Sequence, residues 1–195
     1  MRISIANFCK ALGLLLVCGL LPASAQQAAP PAMPAAPQFL LTIPAFSDGA
    51  EVPVKYTCSA QPSFVSPALQ WSNVPKGAAS FTLLFHDPDA NPKMGMWDVT
   101  HWIVWNIPAA ATGLPEDVKP GPKMDDGAIQ GKNIRGVNGY QGPCPPPGKP
   151  HHYTFELYVL DTTLDLGADA PRADVLKAMD GHIIGKAVYV GYFHR

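Results

Sequence analysis

The chain has 195 residues, of which 47% are hydrophobic, with 15 acidic against 14 basic side chains. That length is a prior for one domain, and a near-neutral balance without any basic cluster excludes a nucleic-acid footprint. No run approaches the roughly 18 apolar residues of a membrane span, so no transmembrane anchor is expected.

The N-terminus has the pattern of an export address. Arg2 and Lys10 form a positive region, Ala11 to Leu21 an apolar one, and Ala23-Ser24-Ala25 a small-x-small cleavage site. Residues 1–25 are therefore expected to be a signal peptide, and the protein to be exported, to the periplasm or beyond. Val17 before Cys18 argues against a lipoprotein site. Loss of Arg2 and Lys10 takes the balance to 12 basic against 15 acidic residues, a net −3. Cys9 and Cys18 leave with the signal, and the remaining Cys58 and Cys144 predict one disulfide in an oxidising compartment. A loop that long has a chain-entropy ceiling of roughly 4 kcal/mol.

Residues 26–38 are an Ala/Pro linker without charge or hydrophobic period, and too little apolar surface to offset ordering; disorder is expected there. The folded domain is expected over residues 39–195. Within it, β-prone runs occur at Phe39–Ile43, Val52–Thr57, Phe81–Asp87, His101–Ile107, Tyr153–Leu160 and Ala187–Phe193, separated by Pro- and Gly-bearing segments. Phe81–Asp87 and His101–Ile107 are apolar on both faces, which puts them in the middle of a covered sheet. A helix is expected over Ala170–Met179, with Asp169 as N-cap and Gly181 beyond its end. The fold class is mainly β, two packed sheets with the helix as a cover.

Side-chain alternation then selects candidate site residues. Asp87 continues the face of Phe81, Leu83 and Phe85. His101 is expected to share a face with Ile103, Trp105 and Ile107, and His151 and Tyr153 lead Phe155, Leu157 and Val159. Three strands so end in polar groups aimed toward buried surface, where they need partners; a shared pocket supplies them. Asp87-Pro88-Asp89 stiffens one strand end, and the segment from Gly142 to Gly148 is a rigid Pro-rich wall that the disulfide would pin. Imidazoles held protonated beside carboxylates would donate to a phosphate or carboxylate. His86 and His152 have the opposite parity, and His182 and His194 carry no motif; the four read as surface or supporting residues.

Other chemistries have less support. His101, His151, Asp87 and Asp89 could form a metal site, but no His-x3-His, HExxH or CxxC spacing accompanies them. GxSxG is absent, and Cys144 is better used in a disulfide than as a nucleophile. No catalytic residue, cofactor or metal is assigned.

Taken together, Asp87-Pro88-Asp89-Ala90, His101-Trp102-Ile103-Val104, Gly142-Pro143-Cys144-Pro145-Pro146 and His151-His152-Tyr153 resemble the phosphatidylethanolamine-binding proteins, particularly their bacterial, Raf kinase inhibitor-like branch. The similarity covers essentially residues 39–195. It implies a large antiparallel sheet packed on a smaller one, with a pocket for phosphate-like anions or phospholipid head groups at the sheet ends. Asp87, His101, His151 and Tyr153 then line the pocket, and Pro88, Asp89, Gly142 and Pro145 belong to its wall. The chain departs from the family after Ala90, where Asn91 precedes Pro92. The expected function is a non-enzymatic binding protein for a small anion such as a phosphate ester. A second reading is an interaction protein that inhibits a kinase or protease through the pocket rim and Pro-rich loop; a third is a hydrolase or metal enzyme.

Overall fold

The structure is a computed structural model and describes residues 37–90 and 98–195. The expected signal peptide, the linker up to residue 36, Trp97 and the Asn91-Pro92 departure lie outside the described residues. Among the described residues, nine strands and one helix follow in chain order: β1 (Leu40–Thr42), β2 (Ala50–Glu51), β3 (Leu69–Ser72), β4 (Ser80–Asp87), β5 (Val99–Pro108), β6 (Gly113–Leu114), β7 (Ile129–Gln130), β8 (His151–Leu160), α1 (Arg172–Met179) and β9 (Ile183–Phe193).

They form a six-stranded sheet in the order β2-β9-β8-β4-β5-β7 and a three-stranded sheet in the order β1-β3-β6. All pairings are antiparallel except β2 with β9. One core lies between the sheets, where Leu41, Leu69, Trp71 and Leu114 meet Phe81, Leu83, Phe85, Phe155 and Leu157. The opposite face of the large sheet carries a second core, with Val175 and Met179 of α1 against Leu84, Ile103, Trp105 and Leu160. Apolar burial on both faces explains the near-continuous hydrophobic runs of β4 and β5.

Three sequence expectations are corrected. Val52–Thr57 is not a strand. The Val52 N–H still bonds the Tyr192 carbonyl, but Pro53 has no N–H to extend the ladder, and its carbonyl accepts from Tyr56 to open a 3-10 turn at Val54–Tyr56. The helix starts at Arg172 and not Ala170, because a residue before proline is disfavoured in helical geometry and Pro171 takes extended angles. Asp169 pairs with Lys132 at 2.8 Å instead of capping. Gly181, at φ +80°, supplies the left-handed residue beyond the helix end.

The third correction concerns the phase of β5. Ile103 and Trp105 point to the helix side, whereas Trp102, Val104 and Ile107 belong to the inter-sheet core. Two irregularities shift the alternation. Phe85 pairs with Trp102 but His86 with Thr100, so His101 is the extra residue of a bulge. Asn106, at φ +56°, sits in the second. The first bulge turns His101 onto the face of Asp87 and Phe85, away from Ile103 and Trp105. β4 and β8 keep the expected alternation throughout.

Candidate functional site

Asp87 ends β4 and His151 begins β8, and antiparallel pairing brings these two ends together. Asp87 is only 3% exposed and accepts three hydrogen bonds. Its Oδ1 accepts the backbone N–H groups of Asp89 (2.9 Å) and Ala90 (3.0 Å), and its Oδ2 accepts from His151 Nδ1 at 2.8 Å. Pro88 fixes the turn that makes this self-capping feasible. His101, 5% exposed, has its Nδ1 at 2.8 Å from the Gln141 carbonyl, while the Gln141 N–H returns a bond to the His101 carbonyl. Its ring stands edge-on to Tyr153 at 5.2 Å and tilted against Phe85 at 5.4 Å.

These groups open onto a cavity of 260 Å³ lined by Asp87, His101, His151, Arg135, Gln141 and Pro145, with Val99, Ile134 and Pro146 as apolar flanks. That volume suits a head group or small ester more than the 300–1,000 Å³ of drug-sized sites. The Pro-rich wall is held from several sides. Cys144 is bonded to Cys58 with their Cα atoms 5.3 Å apart, and the Cys58 N–H bonds the Pro143 carbonyl. The Pro145 carbonyl accepts from Arg195 Nε at 2.7 Å. Gly142 lies against the 3-10 turn, where a Cβ would come within 2.7 Å of the Tyr56 carbonyl oxygen. It is a packing position behind the wall.

Four predicted residues thus share the cavity: Asp87, His101, Pro145 and His151. Tyr153 lies beneath it, fully buried, and its hydroxyl has no hydrogen-bond partner among the described residues. Burial, reinforced by the Asp87 charge, holds that phenol protonated far above the usual range. Pro88 is exposed in the turn. Asp89 leaves the cavity altogether, since its carboxylate accepts the His152 N–H (2.6 Å) and pairs with His152 Nδ1 (2.8 Å) on the exposed side. Partial burial pushes the Asp89 carboxyl up, but the two bonds from His152 bring it below its ordinary value. The four-residue metal set weighed from sequence is therefore not assembled. Among the described residues, no group of three His, Cys, Asp or Glu side chains could hold a metal ion.

His101 also corrects the electrostatic expectation. Burial pushes its pKa below the ordinary value, and the opposing contributions of the Gln141 bond and the Asp87 charge do not reverse this. A carbonyl only accepts, so Nδ1 bears the hydrogen and the ring is the neutral Nδ1–H tautomer.

Arg135, Gln141 and Ile134 escaped sequence reading. They lie in an irregular segment shaped by Asn133, whose Oδ1 accepts from the backbone of Arg135 (2.9 Å) and Val137 (3.2 Å). The segment is tied to β5 where the Ile134 N–H bonds the Thr100 carbonyl at 2.9 Å. Asn133 ahead of Gly136 was the available signal, as a turn that stabilises itself. On the other face of the large sheet, His86, Asp98 and Arg172 form a linked ion-pair chain, and His86 Nε2 lies 3.8 Å from Glu156. His86 is thus a half-buried structural residue.

Two packed sheets with a small cavity at the sheet ends, into which polar strand ends converge, define the class, and comparison with known proteins gives the family. Residues 42–194 match the family profile described as phosphatidylethanolamine-binding protein, and the chain belongs to that family. A UPF0098 protein of Methanothermobacter thermautotrophicus is 46% identical over 151 residues, covering 77% of this chain and 95% of the relative. The crystal structure of YbcL from Escherichia coli, described as a new member of the mammalian PEBP family, superposes with a TM-score of 0.72 at 32% identity. It covers 82% of this chain and 99% of YbcL. The structure of the PEBP homologue CT736 from Chlamydia trachomatis gives a TM-score of 0.71 at 36% identity, over 81% and 98% of the two chains. Membership makes this chain a phosphatidylethanolamine-binding-protein-family binding protein of UPF0098 type. Among the described residues, no helix is long and apolar enough to cross a membrane.

Proposed function

We propose that the protein binds a small phosphate-type anion, as a free ester or as the head group of a phospholipid, in the cavity between Asp87, His101 and His151. The observation that carries this reading is the convergence of three polar strand ends and one cation on a single small cavity. Asp87 and His101 are almost wholly withdrawn from solvent, and Arg135 lines the same cavity without a carboxylate partner among the described residues. Guanidinium groups match phosphate oxygens in charge and in fork geometry. Apolar flanks at Val99 and Ile134 leave room for the carbon part of an ester. Export of the protein accords with its N-terminal pattern and with the Cys58–Cys144 bond, which suits an oxidising compartment.

Crystals soaked in methyl phosphate test the proposal. Density is expected within hydrogen-bond reach of Arg135 and His101. Binding only outside this cavity would overturn it.

A second reading rests on a separate observation. Pro146–Pro150 is exposed in full beside the cavity mouth, and a stiff Pro-rich strip is a low-entropy surface for a protein partner such as a kinase or protease. Replacing residues 146–150 with a Gly/Ser segment should abolish such an interaction and leave anion binding in place.

A further inference from the structure

This inference rests on the anion-binding reading above and concerns the state in which the anion enters. His101 directs its Nδ1 to the Gln141 carbonyl and His151 its Nδ1 to the Asp87 carboxylate, each at 2.8 Å. Both partners can only accept, so each Nδ1 carries a hydrogen and donates it away from a ligand. For each ring the remaining nitrogen is Nε2, which has no partner among the described residues. In a neutral ring that nitrogen is an acceptor, and the buried His101, whose Nδ1–H is held by a carbonyl, so offers the cavity an acceptor where a bare phosphate dianion would require a donor.

The other groups facing His101 do not relieve this. From β4 comes the Asp87 carboxylate, which only accepts and already takes bonds from two backbone N–H groups and His151. From β8 come His151 and the buried Tyr153 phenol, which stays protonated. The segment before the Pro-rich loop contributes the Gln141 carbonyl and Arg135, and His86 and Asp98 act across the sheet from its other face. Among the described residues that line the cavity, Arg135 is the only permanent cation.

We propose that the pocket takes a phosphate anion together with one proton, which is shared between the ligand oxygen and His101 Nε2. The balance is simple. A monoester dianion and one proton from solvent give a bound pair in which an O–H···N or an O⁻···H–N bond forms at Nε2, the remaining anionic oxygens facing Arg135. No other bond changes. A ligand that carries its own donor, such as the ammonium of an ethanolamine head group, fills the same acceptor without taking up a proton. The pocket therefore distinguishes a free phosphate ester from that head group by proton linkage.

The experiment is isothermal titration of the purified protein at pH 8 in two buffers of different ionisation enthalpy. Methyl phosphate, with a second ionisation near pH 6, is expected to bind with uptake of about one proton, and its affinity to fall about tenfold from pH 7 to pH 8. Glycerophosphoethanolamine is expected to bind with no uptake. In His101→Gln, whose amide can donate, methyl phosphate is expected to bind without uptake. Methyl phosphate binding with no proton uptake by the unaltered protein overturns this inference and leaves the anion site standing. Unchanged uptake in a folded His101→Gln variant also overturns it, because the proton is then held elsewhere. Absence of binding by both ligands overturns the inference and the anion site together.

Discussion

Removal of the Cys58–Cys144 bond should weaken both the domain and its pocket. The cysteines are 86 positions apart, and for a loop of that order the chain-entropy relation gives roughly 4.5 kcal/mol, with 2–4 kcal/mol a common measured range. A folded domain of about 155 residues unfolds with an entropy of about 0.33 kcal/mol/K, so 2–4 kcal/mol corresponds to a Tm lower by about 6–12 °C. The bond also fixes Cys144 and Pro145, which line the cavity. Affinity for methyl phosphate should therefore fall in the same variant. Differential scanning calorimetry of Cys58→Ser/Cys144→Ser beside the oxidised protein measures the first effect, and titration at a temperature where both are folded measures the second. A Tm within about 2 °C of the parent would refute the view that this bond holds the wall, and a reductant that lowers the variant's Tm as much as the parent's would do the same.

Arg135→Ala should leave Tm within about 1 °C, since the side chain is exposed, while reducing anion affinity about tenfold or more through loss of a charge-assisted contact; calorimetric titration checks both. Tyr153→Phe removes a buried hydroxyl without a partner and should be neutral or stabilising by up to about 1 kcal/mol, as read by urea denaturation. Arg172→Met should destabilise on the order of 3 kcal/mol by leaving Asp98 half-buried beside His86 without its cation, in the same assay. Stability should depend on pH through His101. Its folded-state pKa lies below the unfolded value, so the unfolded chain binds the extra proton as pH falls. The His101 contribution is whole above about pH 6.5 and declines as pH drops through that value toward the lower folded-state one. Thermal melts from pH 7.5 to 5.5 should show this decline, and it should be smaller in His101→Gln.

How much was legible in the sequence depended on whether the backbone kept a regular period. β4 and β8 hold strict alternation, so Asp87 and His151 could be placed on the buried face from residue order alone. β5 contains two bulges, and parity counted through them assigned His101 to the face of Ile103 and Trp105. His101 nevertheless lines the cavity, because the bulge itself turns it to that side, which no residue count can reveal. Val52–Thr57 has strand composition, but Pro53 decides its conformation. The short strands β3, β6 and β7 are two to four residues long and depend on their neighbours more than on their own pattern. Arg135 and Gln141 reach the cavity through a turn built on Asn133 and a backbone tether to β5, contacts between distant parts of the chain. The protonation state of His101 was misjudged for the same reason. It follows from burial and from the Gln141 carbonyl, neither of which local sequence states.

The most direct test of the central claim is to follow the imidazole nitrogen resonances of His101 and His151 while methyl phosphate is added at pH 7. The ligand-free spectrum should show His101 as a neutral ring with hydrogen on Nδ1, and saturation should move its Nε2 resonance toward the hydrogen-bonded or protonated position, with a smaller change at His151. Saturable binding that leaves both rings unmoved, or moves only His182 and His194, would contradict the assignment of the site.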